Sequence, residues 1–313
     1  MKYTALIFLL LLLTACNSST DAVVNYMPPD HANYQHEEVD IRLENGDLLV
    51  GSFTFQSTLN KGSPLAILIT GSSPHDRDNS KPEKSLDAYR PFRQIAHLLS
   101  SHGISVLRMD DRGVGKSKGG HIERMDSQER ARDIEQCISY IKHRPEVDSS
   151  RICLIGLSEG ASIAHMIASG DESIKTLVLL SAIGSKGNEI IEYQVRNGLL
   201  PANDLSKILR KDRNMRFLYD YDPLETIRMI SQPVLIINGQ TDRRVPAKDA
   251  YLIAKELGRS GNDNVTLHVL PDHNHALLKE DSSGYQSSYG KISSMLIPDD
   301  VLELFLNWIQ IQL

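Results

Sequence analysis

Apolar residues in this chain arrive as short unbroken runs separated by longer stretches with helical spacing. Leu65–Ile69, Ile152–Ile155 and Val234–Ile237 show no alternation of polar and apolar positions. That pattern marks strands covered on both faces, as in a parallel sheet. Strands are expected near 39–43, 48–55, 65–70, 104–109, 152–157, 176–180, 234–239 and 265–270, and helices near 89–101, 127–143, 160–168, 247–257 and 299–311. The alternation of the two implies one α/β domain over residues 37–313: an eight-stranded, mostly parallel sheet with helices on both faces. The first two strands are joined by Glu44-Asn45-Gly46-Asp47, and the Asn-Gly pair suggests a type I′ hairpin turn. Residues 184–230 break the rhythm, and their scattered apolar positions, Ile190, Leu200 and Tyr221 among them, are expected to form a small cap.

The amino terminus follows other rules. Lys2 precedes the apolar Ala5–Leu13, which is too short for an ordinary membrane span, and Leu13-Thr14-Ala15-Cys16 matches a lipobox. This resembles a bacterial lipoprotein signal, which implies removal of residues 1–15, lipidation of Cys16 and attachment to a membrane of the cell envelope. Asn17 at the next position implies the outer membrane. The polar stretch 16–36 then reads as a tether. A formal net charge of −6 provides no basic surface, so nucleic acid is not an expected partner. Cys137 and Cys153 fall in a helix and a strand pattern and are expected to be buried thiols rather than a disulfide.

Candidate chemistry centres on Gly156-Leu157-Ser158-Glu159-Gly160, between a strand run and a helix pattern. A G-x-S-x-G in that setting is a nucleophile elbow, with glycines where the turn is too tight for side chains. A serine hydroxyl needs a general base and an orienting carboxylate, in chain order Ser, Asp or Glu, His. Asp242 follows the strand run Val234–Gly239 and is the expected acid. Two histidines, His273 and His275, follow the next strand. His275, just before Ala276-Leu277-Leu278, is favoured as the base. The His-x-His pair lacks the further ligands that would mark a metal site, so neither metal nor cofactor is expected. Donors for an oxyanion are expected from the backbone N–H of Glu159 and of Ser72, each worth about 3 kcal/mol in such sites. The Glu159 carboxylate is expected only to complement the helix dipole. Gly113-Val114-Gly115-Lys116-Ser117 lacks the earlier glycine of a phosphate loop and reads as a turn.

These segments resemble the α/β-hydrolase superfamily, and within it a bacterial branch of esterase-like and serine-aminopeptidase-like proteins. Gly71-Ser72-Ser73-Pro74-His75-Asp76-Arg77-Asp78 is similar to that branch's G-S-G-P-x-D-R-D loop, and Arg108–Ser117 to its R-x-D-x-R-G-x-G-x-S turn. Asn238–Asp242 and Leu270–His275 are similar to its acid and base segments. The resemblance covers about residues 39–308 and implies an α/β-hydrolase fold with Ser158, Asp242 and His275 as a triad. A small acyl compound, best a carboxylic ester, is the expected substrate, since a modest cap suits a short or medium acyl group; aminopeptidase, thioesterase or acyltransferase action on the same triad and a catalytically inactive binding lipoprotein are the alternatives. Two positions depart from the pattern. Ser73 stands where glycine is usual, and Asp272-His273 replaces a small or apolar pair. Asp76, Arg77 and Asp78 are expected to brace the oxyanion loop. Glu189 and Glu192 are the only cap pair that could hold a substrate ammonium, and they read as a solvated face.

Overall fold

The computed structural model describes residues 32–313, apart from 57–61, 73, 81–88, 121–124, 288–289 and 293. The signal segment, Cys16 and most of the tether therefore lie outside the described residues, as does Ser73. Eight strands form the main sheet: β1 (Gln35–Arg42), β2 (Leu48–Phe55), β3 (Ser63–Ile69), β4 (Ser105–Met109), β5 (Val147–Leu157), β6 (Ile174–Leu180), β7 (Val234–Gly239) and β8 (Val265–Leu270). Their spatial order is β1-β2-β4-β3-β5-β6-β7-β8. The β1–β2 and β2–β4 pairings are antiparallel, and every pairing from β4 to β8 is parallel.

The unbroken apolar runs have a direct packing explanation. Along β3, Leu65, Ile67 and Ile69 face one core cluster while Ala66 and Leu68 face the other. The first cluster is closed by α2 (Ser127–Ile141), α3 (Glu159–Ala168) and α8 (Lys248–Arg259), and the second by α1 (Pro91–Ser101) and α9 (Asp299–Gln312). Helices cover both faces, so the alternate positions of β3 are apolar on each side. α2 begins with a reciprocal capping box, in which the Asp126 carboxylate accepts from the Glu129 N–H and the Glu129 carboxylate from the Asp126 N–H.

Two local expectations need correction. In the turn after β1 only Gly46 has positive φ, at 89°, and the Gly46 N–H donates to the Leu43 carbonyl. A type I′ turn needs two such residues, so this hairpin instead uses the longer loop that ends on a left-handed glycine. Strands β9 (Glu280–Ser287) and β10 (Gly290–Ile292) pair as a small antiparallel sheet that the apolar pattern does not signal. Their sequence, rich in Ser and Gly, carries little of the alternation that marks a strand.

Between β6 and β7 the chain forms α4 (Gly187–Arg196), a 3-10 turn (Ala202–Asp204), α5 (Leu205–Lys211), α6 (Arg213–Asp220) and α7 (Pro223–Ile227). α6 and α7 are started by Asp212 and Asp222, whose carboxylates accept from the Met215 and Leu224 N–H groups. The start of α4 lies so close to α6 that a Cβ on Gly187 would sit 1.5 Å from the Leu218 carbonyl oxygen. These helices stand over the carboxyl ends of the central strands, where open α/β sheets place their ligands.

Candidate active site

Ser158 occupies the turn between β5 and α3 with φ 59° and ψ −120°, a left-handed backbone that a non-glycine residue rarely adopts. Its N–H donates to the Leu180 carbonyl at 2.8 Å, which pins the turn to β6. The flanking glycines are required by close approach. A Cβ on Gly156 would lie 2.2 Å from the Gly160 carbonyl oxygen, and one on Gly160 would lie 2.1 Å from that of Ile69. This geometry leaves the Ser158 side chain half-buried at the wall of a cavity of about 230 Å³.

Asp242 follows β7 and is 2% exposed. One carboxylate oxygen accepts from the backbone N–H groups of Arg244 (2.7 Å) and Val245 (2.9 Å). The other lies 2.8 Å from Nδ1 of His275, which must donate because a carboxylate can only accept. That leaves Nε2 of His275 as the ring's acceptor, and His275 lines the same cavity as Ser158. His273 is placed differently. Its Nδ1 donates to the Pro271 carbonyl at 2.6 Å, the residue is 6% exposed, and its own carbonyl accepts from the Thr241 N–H (3.0 Å) and hydroxyl (2.8 Å). His273 thus fastens the base loop to the acid loop, while His275 reaches Asp242.

The loop after β3 completes the wall. Ser72, His75 and Asn79 line the cavity; the His75 Nε2–H donates to the Ser72 carbonyl at 2.9 Å, and the Gly71 N–H donates to the Asn79 side chain at 3.3 Å. Glu159 is the first residue of α3, so its N–H has no acceptor within the helix. Beneath the loop, fully buried Arg77 makes a two-pronged bond to Asp110, Nε to Oδ1 at 3.0 Å and Nη2 to Oδ2 at 2.7 Å, and Arg108 pairs with Asp78. Burial pushes the Asp78 carboxyl up despite that arginine. Gly115 is needed because a Cβ there would sit 2.5 Å from the Asp110 carboxylate. The glycine turn 113–117 is therefore a brace for the Asp110–Arg77 pair.

The Glu159 carboxylate does more than face the helix dipole, which corrects the sequence expectation. It is 0% exposed and accepts from Arg130 (3.0 Å), Ser127 (2.8 Å) and, through both oxygens at 3.0 Å, the Asn214 amide of α6. Burial alone would raise its pKa; the Arg130 charge and the surrounding hydroxyl and amide groups hold it below the ordinary value. Arg130 and Ser127 share one face of α2 at i, i+3, a signal present in the sequence but without meaning until α2 is known to pack on α3. Asn214 carries no such signal, because the insertion has no regular pattern to place it.

The cap side of the cavity is apolar: Ile190, Ile191, Leu200, Met215, Leu218 and Tyr221, joined by Gln194. Among the described lining residues none is a carboxylate, and Arg244 is the basic side chain beside His275. Glu189 and Glu192 are exposed. Cys137 and Cys153 are buried free thiols, and burial pushes both pKa values up.

A mostly parallel sheet with helices on both faces and a serine elbow at the end of its central strand defines an α/β-hydrolase-fold serine hydrolase. More narrowly, the chain belongs to the prolyl oligopeptidase family, whose sequence model matches residues 90–289. It is 27% identical over 278 residues to the esterase EstD of Thermotoga maritima, an alignment covering 79% of this chain and 63% of that esterase's length. In structure it is similar to the Pyrococcus furiosus esterase Pf2001, with a TM-score of 0.62 at 21% identity over 81% of this chain and 88% of the other. It is also similar to the acylaminoacyl peptidase of Pyrococcus horikoshii, with a TM-score of 0.62 at 16% identity over 90% of this chain and 42% of that one. At those identities the structural likeness speaks for the fold.

Proposed function

We propose that this chain is a carboxylic ester hydrolase that works through an acyl-enzyme on Ser158 and is held at the bacterial envelope, at the outer membrane, by a lipid on Cys16. One observation carries the catalytic part. His275 donates from Nδ1 to buried Asp242 at 2.8 Å and lines the same cavity as Ser158. In this reading Nε2 takes the Ser158 proton as the oxygen attacks the acyl carbon. Asp242 stabilises the imidazolium, and the N–H groups of Ser72 and Glu159 hold the oxyanion. The proton then passes to the leaving alcohol, and water repeats the cycle to release the acid.

Esters are favoured over peptides with a free amino end by the lining of the cavity. An ammonium group calls for a carboxylate, and none lines the cavity among the described residues, whereas the cap offers an apolar wall. The volume of about 230 Å³ is below the roughly 300–1,000 Å³ of drug-sized sites and suits a short or medium acyl group. The likeness to an esterase from Thermotoga supports the same class. The family's peptidase name, and the likeness to an acylaminoacyl peptidase, make amide cleavage the alternative to be tested.

The test is hydrolysis of a p-nitrophenyl ester series beside aminoacyl and acylaminoacyl p-nitroanilides, with the full chain and its Ser158→Ala variant. The reading requires ester turnover that vanishes in the variant. Turnover of anilides alone would replace it with a peptidase reading. For the anchor, palmitate incorporation into the wild-type chain that is lost in Cys16→Ser is expected, and equal labelling of the two would overturn it.

A further inference from the structure

The insertion grips the site at two points, the acid loop and the Glu159 carboxylate. On one side, α4 reaches the acid loop: the Tyr193 hydroxyl donates to the Asp242 carbonyl at 2.8 Å and the Gln194 amide to the Arg244 carbonyl at 3.2 Å. On the other, α6 reaches past the surface to a fully buried group, the Glu159 carboxylate, through the Asn214 amide. Arg130, which donates to the same carboxylate, also donates to the Thr70 hydroxyl and carbonyl, so Glu159 joins the cap to the strand end that leads into the Ser72 loop.

We propose that Glu159 and Asn214 are positioning residues: through Arg130 and Thr70 the carboxylate holds the loop that carries Ser72 so that its N–H faces the oxyanion, and Asn214 makes that placement depend on the docked cap. The inference rests on the serine-hydrolase reading of Ser158. It follows from three features of the network. A buried carboxylate tolerates few conformations because each donor it loses leaves an unsatisfied charge. Arg130 anchors the far side, giving Nη1 to Glu159 at 3.0 Å and Nη2 to the Thr70 hydroxyl at 2.9 Å and carbonyl at 3.1 Å, so the strand end before Ser72 is held by the same cation. Asp111, 3.5 Å from Arg130, accepts the Thr70 hydroxyl at 3.0 Å and the His75 N–H at 2.9 Å, which closes the frame around the loop. Within this frame the cap supplies one member, Asn214.

Kinetics of the full chain separate this role from simple support. Asn214→Ala should lower kcat for p-nitrophenyl acetate, whose acyl group is too small to need the cap wall, about tenfold with KM within about twofold, since the loss falls on the transition state. Glu159→Gln should do the same, and the double variant should be no worse than either single one, because both break one linkage. Asn214→Asp places a second carboxylate against Glu159. Its kcat relative to wild type should be lowest at pH 8.5 and recover by pH 6, as a shared proton restores the contact. Thermal melts confirm that each variant is folded, and Asn214→Ala, altered at a partly exposed position, carries the test if Glu159→Gln does not fold. A raised KM with unchanged kcat, additive losses, or a pH-independent ratio for Asn214→Asp would overturn the proposal. Fluorophosphonate labelling of wild-type Ser158 keeps the two levels apart. Absence of label would remove the hydrolase reading, whereas label with unaltered variant kinetics would remove this inference alone.

Discussion

Two buried carboxylates flank Ser158, and they are neutralised by different partners. Asp242 faces an imidazole, with its remaining oxygen held by two backbone N–H groups. Glu159 faces the guanidinium of Arg130 and two uncharged donors, Ser127 and Asn214. On the proposed mechanism the difference follows from what each pair must do in a turnover. The His275–Asp242 pair gains a charge when the imidazole takes the Ser158 proton and loses it again when the proton passes on. The Glu159–Arg130 pair must keep one geometry throughout, and arginine does not give up its proton. Proton transfer and fixed scaffold thus use the same kind of acid side chain, distinguished only by the base placed against it.

The largest effect sets the scale. Ser158→Ala should cost about 10⁴ to 10⁶ in kcat, read against a p-nitrophenyl ester. Asp242→Asn should cost about 10⁴, because the amide would hold the wrong imidazole tautomer, against about tenfold for Glu159→Gln. Equal losses in the two would erase the distinction between a proton-transfer pair and a scaffold pair.

A second imidazole sharpens it. His165 is fully buried on α3, with Nδ1 2.7 Å from the Thr226 hydroxyl and, among the described residues, no carboxylate partner, and desolvation lowers its pKa to about 3. Its folded value lies below the unfolded value of about 6.5, so stability is complete above that pH and is lost as acid protonates the unfolded chain, between about pH 6.5 and 3. Urea unfolding should show His165→Asn losing less stability on acidification, by up to about 1.4 kcal/mol per pH unit in that window. An unchanged slope would mean that His165 is not neutral when folded. Smallest of all, His273→Ala should leave kcat within about threefold, since His273 secures a loop whose backbone bonds to Thr241 remain. A large loss there would move the base role away from His275.

Much of this was readable from the chain. The buried strands announce themselves because a sheet covered on both faces admits no polar alternation, and the elbow because two close backbone contacts admit no side chain. Asp242 was readable from its position at a strand's carboxyl end. The two histidines were separable only in part, since both sit in one short loop and the decisive feature is which ring meets Asp242. The contacts of Glu159 were not readable. Its partners, Ser127, Arg130 and Asn214, are distant from it in the chain and sit on elements whose packing no local pattern specifies. The insertion was visible only as a break in rhythm, because short amphipathic helices packed on a finished core need no long periodic stretch.

Mass spectrometry after fluorophosphonate treatment of wild type, His275→Ala and His273→Ala tests the central claim most directly. The account requires an adduct on Ser158 in wild type and in His273→Ala, formed far more slowly in His275→Ala. An adduct that persists in His275→Ala and disappears in His273→Ala would contradict it, as would an unlabelled Ser158 in the wild-type chain.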